Sequence, residues 1–233
     1  MFLMETKQKE GKGKYWTYRW SFENFEKVGR VGMSGGILLC WSNIYLIVLD
    51  ASKNIIHTRI KMPNVGFVYC TFIYGHPTTH KRKHVWNHLL SFCSTVTGPW
   101  VWIGDFNQVL KQEDKFSLRN QACPGAIDLH NFLQEASMIL MNATGVQYTW
   151  DNNREGEEFV CERLDKAFVN LDWLHTYEHS NLEAWPISIS DHAPLILDTQ
   201  WVPVSSTGKV FDGCIRDLGF NYCLHQKLIG VLV

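Results

Sequence analysis

An acid and an amide stand together after an apolar run near the middle of the chain. The run Pro99–Ile103 leads directly into Gly104, Asp105, Phe106 and Asn107. This pattern predicts a buried strand, and because side chains alternate along a strand, Asp105 and Asn107 point to the same side. Gly104 has no Cβ, so another group can approach the backbone there. The strand therefore delivers a carboxylate and an amide to one place, although Asp and Asn are also common in turns.

Polar residues stand next to other apolar runs as well. Asp165 is the unusual one, because it lies within the apolar stretch Phe159–Val169, where a carboxylate must be paired, for example with Arg163 or Lys166. The others are Glu5 after Phe2–Met4, Tyr74 at the end of Phe67–Tyr74, and Asp191 with His192 after Ser190. Taken alone, each has an ordinary explanation: a surface carboxylate, a core tyrosine with a bonded hydroxyl, or a turn.

The elements that must position these residues are mostly strands. Alternating and apolar runs predict several strands between Ile37 and Tyr74, with two of them joined by the short turn Ser42-Asn43 as in a meander. An apolar stripe predicts a helix over His80–Thr97, and another helix follows Pro124. Phe159–Val169 reads as one strand. Single helices between strand runs favour stacked antiparallel sheets covered by helices.

The two ends of the chain carry weaker patterns. Phe2–Met4 reads as a strand that opens the chain, so its partners must come from later residues or from a missing N-terminal piece. Tyr15–Phe22 alternates as a strand does, and Glu23–Ser34 reads as a loop. From residue 200 the periodicity fades, and 209–233 carries no strong signal.

Composition limits the classes of function. The 233 residues have a formal net charge of −1, so a nucleic-acid-binding protein of this kind would need a local basic surface. The 7 cysteines form no Cys-x-x-Cys pair, which favours reduced core thiols over disulfides or a zinc site. A signal peptide and a membrane span are not expected, so the sequence predicts a soluble intracellular protein.

In their order along the chain, these motifs resemble the endonuclease/exonuclease/phosphatase superfamily, which has the DNase I-like fold. The resemblance covers residues 1–199, and residues 200–233 are expected to be a tail outside it. The sequence between the motifs is similar to the apurinic-endonuclease-like domain of plant non-LTR (LINE-type) retrotransposons. The stretches that carry this similarity are Ser34-Gly35-Gly36, Phe72–Pro77, Tyr148-Thr149-Trp150, Cys161–Asp165 and Ser190–Leu195.

The resemblance implies an α+β fold, a four-layer αββα sandwich of two mostly antiparallel sheets with the site where strand ends converge. It implies a Mg²⁺-dependent phosphodiester hydrolase acting on DNA, with Mn²⁺ as a substitute metal and a nuclear location. Further small-molecule cofactors and membrane association are not implied. The implied roles are metal binding for Glu5 and Asp191, water activation for Asp105, water or phosphate contact for Asn107, orientation of His192 by Asp165, catalysis by His192, and phosphate contact for Tyr74.

The predicted nucleic-acid contacts are Lys81, Arg82 and Lys83, together with Trp150 and Asn152. The basic cluster stands where the helix over His80–Thr97 begins, and a helix N-terminus with added cations suits phosphate. A solvated charge run is the alternative explanation for this cluster.

One departure from the family pattern bears on activity. Relatives begin with a strand whose Asn contributes at the active site, whereas Glu5 stands only a few residues after Met1. We therefore expect an N-terminally truncated copy without that first strand. Three functions stay open at this point: a DNA endonuclease, a phosphatase acting on lipid or inositol phosphates, and a non-catalytic vestigial or nucleic-acid-binding domain.

Overall fold

The fold is described from a computed structural model, which describes residues 1–8, 18, 20–31, 35–119, 122–187, 190–200 and 228–232. The strands are β1 (Phe2–Leu3), β2 (Asn24–Val28), β3 (Ile37–Trp41), β4 (Tyr45–Ala51), β5 (Ile55–Met62), β6 (Gly66–Tyr74), β7 (Trp100–Asp105), β8 (Lys115–Ser117), β9 (Ile139–Leu140), β10 (Ala143–Gly145), β11 (Trp150–Asp151), β12 (Val160–Glu162), β13 (Asp165–Val169), β14 (Asn181–Ala184), β15 (Leu195–Asp198) and β16 (Leu228–Leu232). The helices are α1 (Thr79–Phe92), α2 (Ala126–Glu135) and α3 (Leu171–Thr176), with short 3-10 turns at Gln112–Asp114 and Gly156–Glu158.

Two large sheets and one small sheet contain these strands. The six-stranded sheet has the order β4-β5-β6-β7-β13-β9, and the seven-stranded sheet has the order β10-β14-β15-β16-β1-β3-β2. In the six-stranded sheet only β6 and β7 are parallel, and α1 makes the crossover that parallel neighbours require. The third sheet is β11-β12-β8.

The apolar core lies on both faces of the six-stranded sheet. One core cluster combines side chains of both large sheets, such as Phe2, Phe72 and Leu195. The other lies between the six-stranded sheet and the helices α1 and α2, where the Trp102 ring stacks on Phe132 with centroids 5.2 Å apart. The prediction of a sandwich of mostly antiparallel sheets with helices outside is confirmed. This arrangement brings one end of β6, β7 and β13 to the same place as the loop before β15.

Three local predictions were wrong for one physical reason, which is that strand pairing is not local. Ser42-Asn43 does not close a hairpin, because β3 belongs to the seven-stranded sheet and β4 to the six-stranded sheet. Phe159–Val169 is two strands, since the chain leaves the small sheet after β12 and enters the six-stranded sheet at β13. The predicted loop Glu23–Ser34 contains β2, an edge strand paired with β3.

The first strand of the chain is an inner strand whose partners come from later in the sequence. β1 pairs antiparallel with β3 and parallel with β16, and β16 also pairs antiparallel with β15. The segment without a strong sequence signal thus supplies a strand that joins two parts of the sheet. Of the predicted strand Tyr15–Phe22, half of the residues lie outside the described ones, and Tyr18 and Trp20 are helical.

Two of the five described cysteines lie in the core as predicted, and the other three do not. Cys40, Cys70, Cys93, Cys123 and Cys161 are free thiols, of which Cys40 and Cys70 are buried. Cys214 and Cys223 lie outside the described residues. Within the described part of the chain, every helix is too short or too polar to cross a membrane.

Candidate active site

Three polar side chains lie side by side on neighbouring strands. Asp105 on β7 is in register with Tyr74 on β6 and with Asp165 on β13. In-register neighbours project from the same face of a sheet, and here that face is shared with Ile103, part of the core between the sheets. Tyr74, Asp105 and Asp165 are 6%, 2% and 1% exposed. Two buried carboxylates, Asp105 and Asp165, are therefore direct neighbours at one end of the six-stranded sheet.

Asn107 fixes the carboxylate of Asp105 from the loop that follows β7. Its backbone N–H donates to Asp105 Oδ1 over 2.6 Å, and its side-chain Nδ2 donates to Oδ2 over 2.6 Å. The same Nδ2 donates to the Gly75 carbonyl over 2.8 Å, which ties this loop to the loop after β6. Asn107 has φ +51°, a left-handed conformation that Asn tolerates. The turn after β7 therefore brings the Asn107 side chain to the Asp105 carboxylate.

His192 lies against Asp165. Its Nδ1 is 2.9 Å from Asp165 Oδ2, so Nδ1–H donates to this carboxylate and Nε2 is left for other partners. Burial by itself lowers the pKa of His192, but the Asp165 charge and hydrogen bond, with help from Asp105 and Asp191, outweigh burial and raise it to about 9. The imidazole is therefore charged at neutral pH.

The pKa of Asp105 lies close to neutral pH. Burial is the largest cause that raises its pKa, and the neighbouring Asp165 charge adds to it, while His192, Asn107 and Lys166 act in the opposite direction. The resulting pKa is about 7. A carboxylate with such a pKa is suited to taking a proton near neutral pH.

Glu5 reaches the same row through Tyr74. The Tyr74 hydroxyl donates to Glu5 Oε1 over 2.5 Å, and the Lys7 ammonium lies 3.8 Å from Glu5 Oε2. Burial and this bond raise the pKa of Tyr74. Glu5 has φ +50° just after β1, and its side chain is 44% exposed. The contacts Glu5–Tyr74 and Asp165–His192 thus lie at the two ends of the row centred on Asp105.

Asp191 and His192 share this end of the molecule because the chain bends between β14 and β15. His192 forms an isolated bridge with Trp150, and the Ala193 N–H donates to the Thr149 carbonyl over 2.7 Å. Asp191 is exposed, and its Oδ2 accepts a hydrogen bond of 3.2 Å from the Trp150 indole N–H. Trp150 therefore sets the position of an acid beside His192.

The donor atoms suit a hard cation better than a soft one. Glu5 and Asp191 are partly exposed carboxylates, and Asp165 Oδ1 is a buried oxygen with no hydrogen-bond partner. Mg²⁺ is commonly held by one or two carboxylates with waters and substrate phosphate. Among the described residues, no three His, Cys, Asp or Glu side chains form a group that could hold a metal alone. The residues therefore fit a Mg²⁺ ion that keeps waters.

The predicted nucleic-acid contacts divide into exposed and engaged side chains. Lys81 and Lys83 are exposed on α1. The Arg82 guanidinium donates to the carbonyls of His76 and Pro77, each over 2.9 Å, and to the Gln108 side chain, so it ties the two site loops together. Asn152 closes its own hairpin by donating to the Glu158 carbonyl over 2.7 Å. Contact with nucleic acid stays a prediction for all of them and for Trp150.

Two buried residues that were not predicted as site residues, Thr149 and Lys166, support the row of acids. Thr149 Oγ1 accepts from the backbone N–H groups of Leu164 and Asp165, over 3.0 and 2.9 Å, where the chain changes sheets. Lys166 is fully buried, and its ammonium donates to the Gln108 carbonyl over 2.8 Å and to the Arg163 carbonyl. In the sequence, Lys166 stands next to Asp165 in an apolar stretch, and this position was interpreted as an ion pair with Asp165.

Comparisons with known proteins identify the class of fold. No protein-family model matches the sequence, and no curated protein matches it. The two facing sheets with helices outside are the DNase I-like endonuclease/exonuclease/phosphatase fold, and solved structures of that fold match this chain. The endonuclease domain of TRAS1, a telomere-specific non-LTR retrotransposon, is 14% identical with a TM-score of 0.58, and the match covers 84% of this chain and 96% of that domain.

Two other solved structures are similar to the same extent. The 3'-5' exonuclease NExo from Neisseria meningitidis has 15% identity and a TM-score of 0.60, with 86% of this chain and 88% of that chain covered. An AP endonuclease from Archaeoglobus fulgidus has 16% identity and a TM-score of 0.58, covering 84% and 86%. Likeness at this identity establishes the fold of the chain.

Proposed function

We propose that this chain is a Mg²⁺-dependent phosphodiester hydrolase that cuts DNA, an endonuclease of retrotransposon origin. The single observation that carries the proposal is the in-register placement of Asp105 beside Asp165, with His192 bonded to Asp165 over 2.9 Å. Two buried acids side by side raise the free energy of the folded protein, because like charges on facing strand positions repel. Such an arrangement is characteristic of catalytic sites. The match to the TRAS1 endonuclease domain supports the choice of DNA as substrate.

Asp105 is the residue proposed to accept a proton from the attacking water. Each carboxylate oxygen accepts one hydrogen bond from Asn107, which leaves lone pairs for a water. Its pKa of about 7 allows proton transfer near neutral pH. Asn107, fixed by Asp105 and the Gly75 carbonyl, keeps its own amide oxygen free to orient that water.

His192 is proposed to bind the phosphate as an imidazolium. Because Nδ1–H donates to Asp165, Nε2–H is available to donate to a non-bridging phosphate oxygen. This hydrogen bond would stabilise the negative charge that develops on that oxygen. Asp165 then acts through His192, by fixing the ring and keeping it charged. The Tyr74 hydroxyl donates its hydrogen bond to Glu5, so the proposed contribution of Tyr74 is to hold that carboxylate. A direct contact between Tyr74 and the phosphate stays a prediction.

Glu5 and Asp191 are the residues proposed to hold Mg²⁺. When bound, the ion supplies polarisation of the phosphate and stabilisation of the leaving alkoxide. The Tyr74 hydroxyl and the Trp150 indole each hold one of these two carboxylates by a hydrogen bond. Both acids are accessible from solvent, as a site that exchanges a hydrated ion needs.

Nicking of supercoiled plasmid by the purified full chain tests this function. We expect nicked circles with Mg²⁺ and none with EDTA. Asp105→Asn should lower the rate on the order of 10²-fold or more, because it removes the base. Asp128→Asn, at an exposed carboxylate on α2, is the matched control and should cut at the wild-type rate.

The same preparation separates the other two functions. Release of phosphate from a lipid or inositol phosphate, without nicking, would identify a phosphatase. Binding of DNA without cleavage in Mg²⁺ or Mn²⁺ would identify a non-catalytic domain.

A further inference from the structure

A groove next to the row of acids is lined by cations. It lies between the β4–β5 turn and the start of α1 and has a volume of about 430 Å³. The side chains that matter for charge are Lys53 from the turn, His76 from the loop after β6, and Lys81 and His84 from α1. Acidic side chains are absent from the lining within the described residues. Asp50, on β4 before the turn, is paired at 3.3 Å with His88, which also lines the groove.

These cations repel one another, so the groove is short of negative charge. Burial lowers the pKa of His76, and the charges of Lys81, Lys53, His80 and Arg82 lower it further. The charges that act on His76 are therefore all positive. An anion bound among them would remove the repulsion.

The groove is rigidly connected to the proposed catalytic row. Asn54, next to Lys53, donates from its side chain to the Tyr74 carbonyl over 2.6 Å, and the Tyr74 N–H donates to the Asn54 carbonyl over 2.8 Å. Arg82 holds the carbonyls of His76 and Pro77 on the other side. The groove therefore has a fixed position relative to Tyr74 and Asp105.

We propose that this groove is a subsite for one backbone phosphate of the DNA strand beside the scissile phosphate, with Lys53 and His84 as ligands together with Lys81. The inference rests on the proposed function for the identity of the polyanion. It adds a contact from the β4–β5 turn, which the sequence did not single out. Arg82 is not part of the lining but fixes the loop that carries His76.

The test uses a short DNA duplex in EDTA, in which each backbone phosphate is replaced in turn by a neutral methylphosphonate. For the wild type, we expect one position near the active site where the replacement weakens binding about fivefold to tenfold. In Lys53→Gln, that position should lose its effect. The slope of log affinity against log salt should fall by about 0.9. His84→Gln should weaken the effect at the same position.

Lys61→Gln removes the same charge from an exposed lysine at the far end of β5 and is the matched control. An equal effect of Lys61→Gln and Lys53→Gln, or full retention of the methylphosphonate effect in Lys53→Gln, would overturn the subsite. A free-phosphate arm distinguishes a simple anion site: competition by millimolar phosphate as strong as by DNA would overturn the assignment to the DNA backbone. If the wild type fails to nick plasmid while Lys53→Gln still abolishes the position effect, the subsite stands and the catalytic proposal fails.

Discussion

Asp105 and Asp165 face each other on neighbouring antiparallel strands, and both are almost completely buried. Two cations share the region with them: His192 on Asp165, and Lys166, whose ammonium bonds the loop carbonyls of Gln108 and Arg163. The pKa of Asp105 rises to about 7 because burial and the Asp165 charge raise it by more than His192 and Lys166 lower it. Asp105 is therefore a buried carboxylic acid that can still gain or lose a proton near neutral pH.

The first prediction concerns Asp165 and His192 as a unit. Because Asp165 acts through the imidazole, Asp165→Asn and His192→Gln should each lower the nicking rate on the order of 10²-fold. The double variant should be hardly slower than either single variant, as groups acting together are not additive. Single-turnover nicking rates check this. Multiplicative losses would show that the two residues act separately.

The second prediction is a pH dependence of stability in EDTA. The pKa of His192 is raised from 6.5 to about 9 in the folded protein, so its contribution is fully present below pH 6.5 and is lost as pH rises through 9. The amount is up to about 3 kcal/mol. Lys166, whose pKa is lowered to about 8, acts in the opposite direction above pH 8.

Urea unfolding of the wild type and His192→Gln between pH 6.5 and 9 isolates the histidine. The difference in unfolding free energy between the two proteins should shrink as pH rises across this window. A constant difference would mean that His192 does not carry the charge assigned to it.

The third prediction concerns Gly75, where the loop after β6 crosses the loop after β7. A Cβ at Gly75 would lie 2.3 Å from the Phe106 carbonyl oxygen, so Gly75→Ala must push the two loops apart. We expect a loss of about 3 kcal/mol in unfolding free energy and a large loss of nicking. Gly98→Ala is the control, since it has φ +110° but meets no atom closer than 3.9 Å. It should cost about 1 kcal/mol and leave nicking intact. Equal costs would refute the close approach.

The fourth prediction concerns Lys166. Lys166→Met removes the donor from one buried and one partly buried carbonyl, which should cost about 1–3 kcal/mol. It also removes a charge that lowers the pKa of Asp105, so the rise of nicking rate with pH should move above pH 7. Lys166→Arg, which keeps the charge, should restore the pH profile. A profile that does not move in Lys166→Met would limit this residue to a structural role.

The fifth prediction concerns β16. Gly230 pairs with Ile196 inside the seven-stranded sheet, and β16 lies between β15 and β1. Gly230→Pro removes a backbone donor from an inner strand, where proline is not tolerated. Thermal unfolding should begin at a lower temperature, and the exposed edges of β1 and β15 should promote aggregation. An unchanged unfolding temperature would place this strand outside the stable fold.

Much of the local structure could be predicted from residue patterns. β5 is one of the strands predicted between Ile37 and Tyr74, and the apolar runs that lead to Tyr74 and Asp105 are the strands β6 and β7. The helix predicted over His80–Thr97 begins within one residue and ends earlier, at Phe92. These elements were readable because their periodicity or continuous apolar character is a local property.

The sequence by itself determined which polar residues end apolar strands, and the order of these motifs led to the DNase I-like fold. Only the tertiary structure decided which residues stand side by side. The Asp105–Asp165 register, the break of Phe159–Val169 into two sheets, and the place of β16 beside β1 depend on pairing between distant segments. An apolar strand fits many partners equally well, so its own residues cannot specify one. The burial of Lys166 and the cation-lined groove follow from that pairing, because both are formed by segments that meet only in the folded chain.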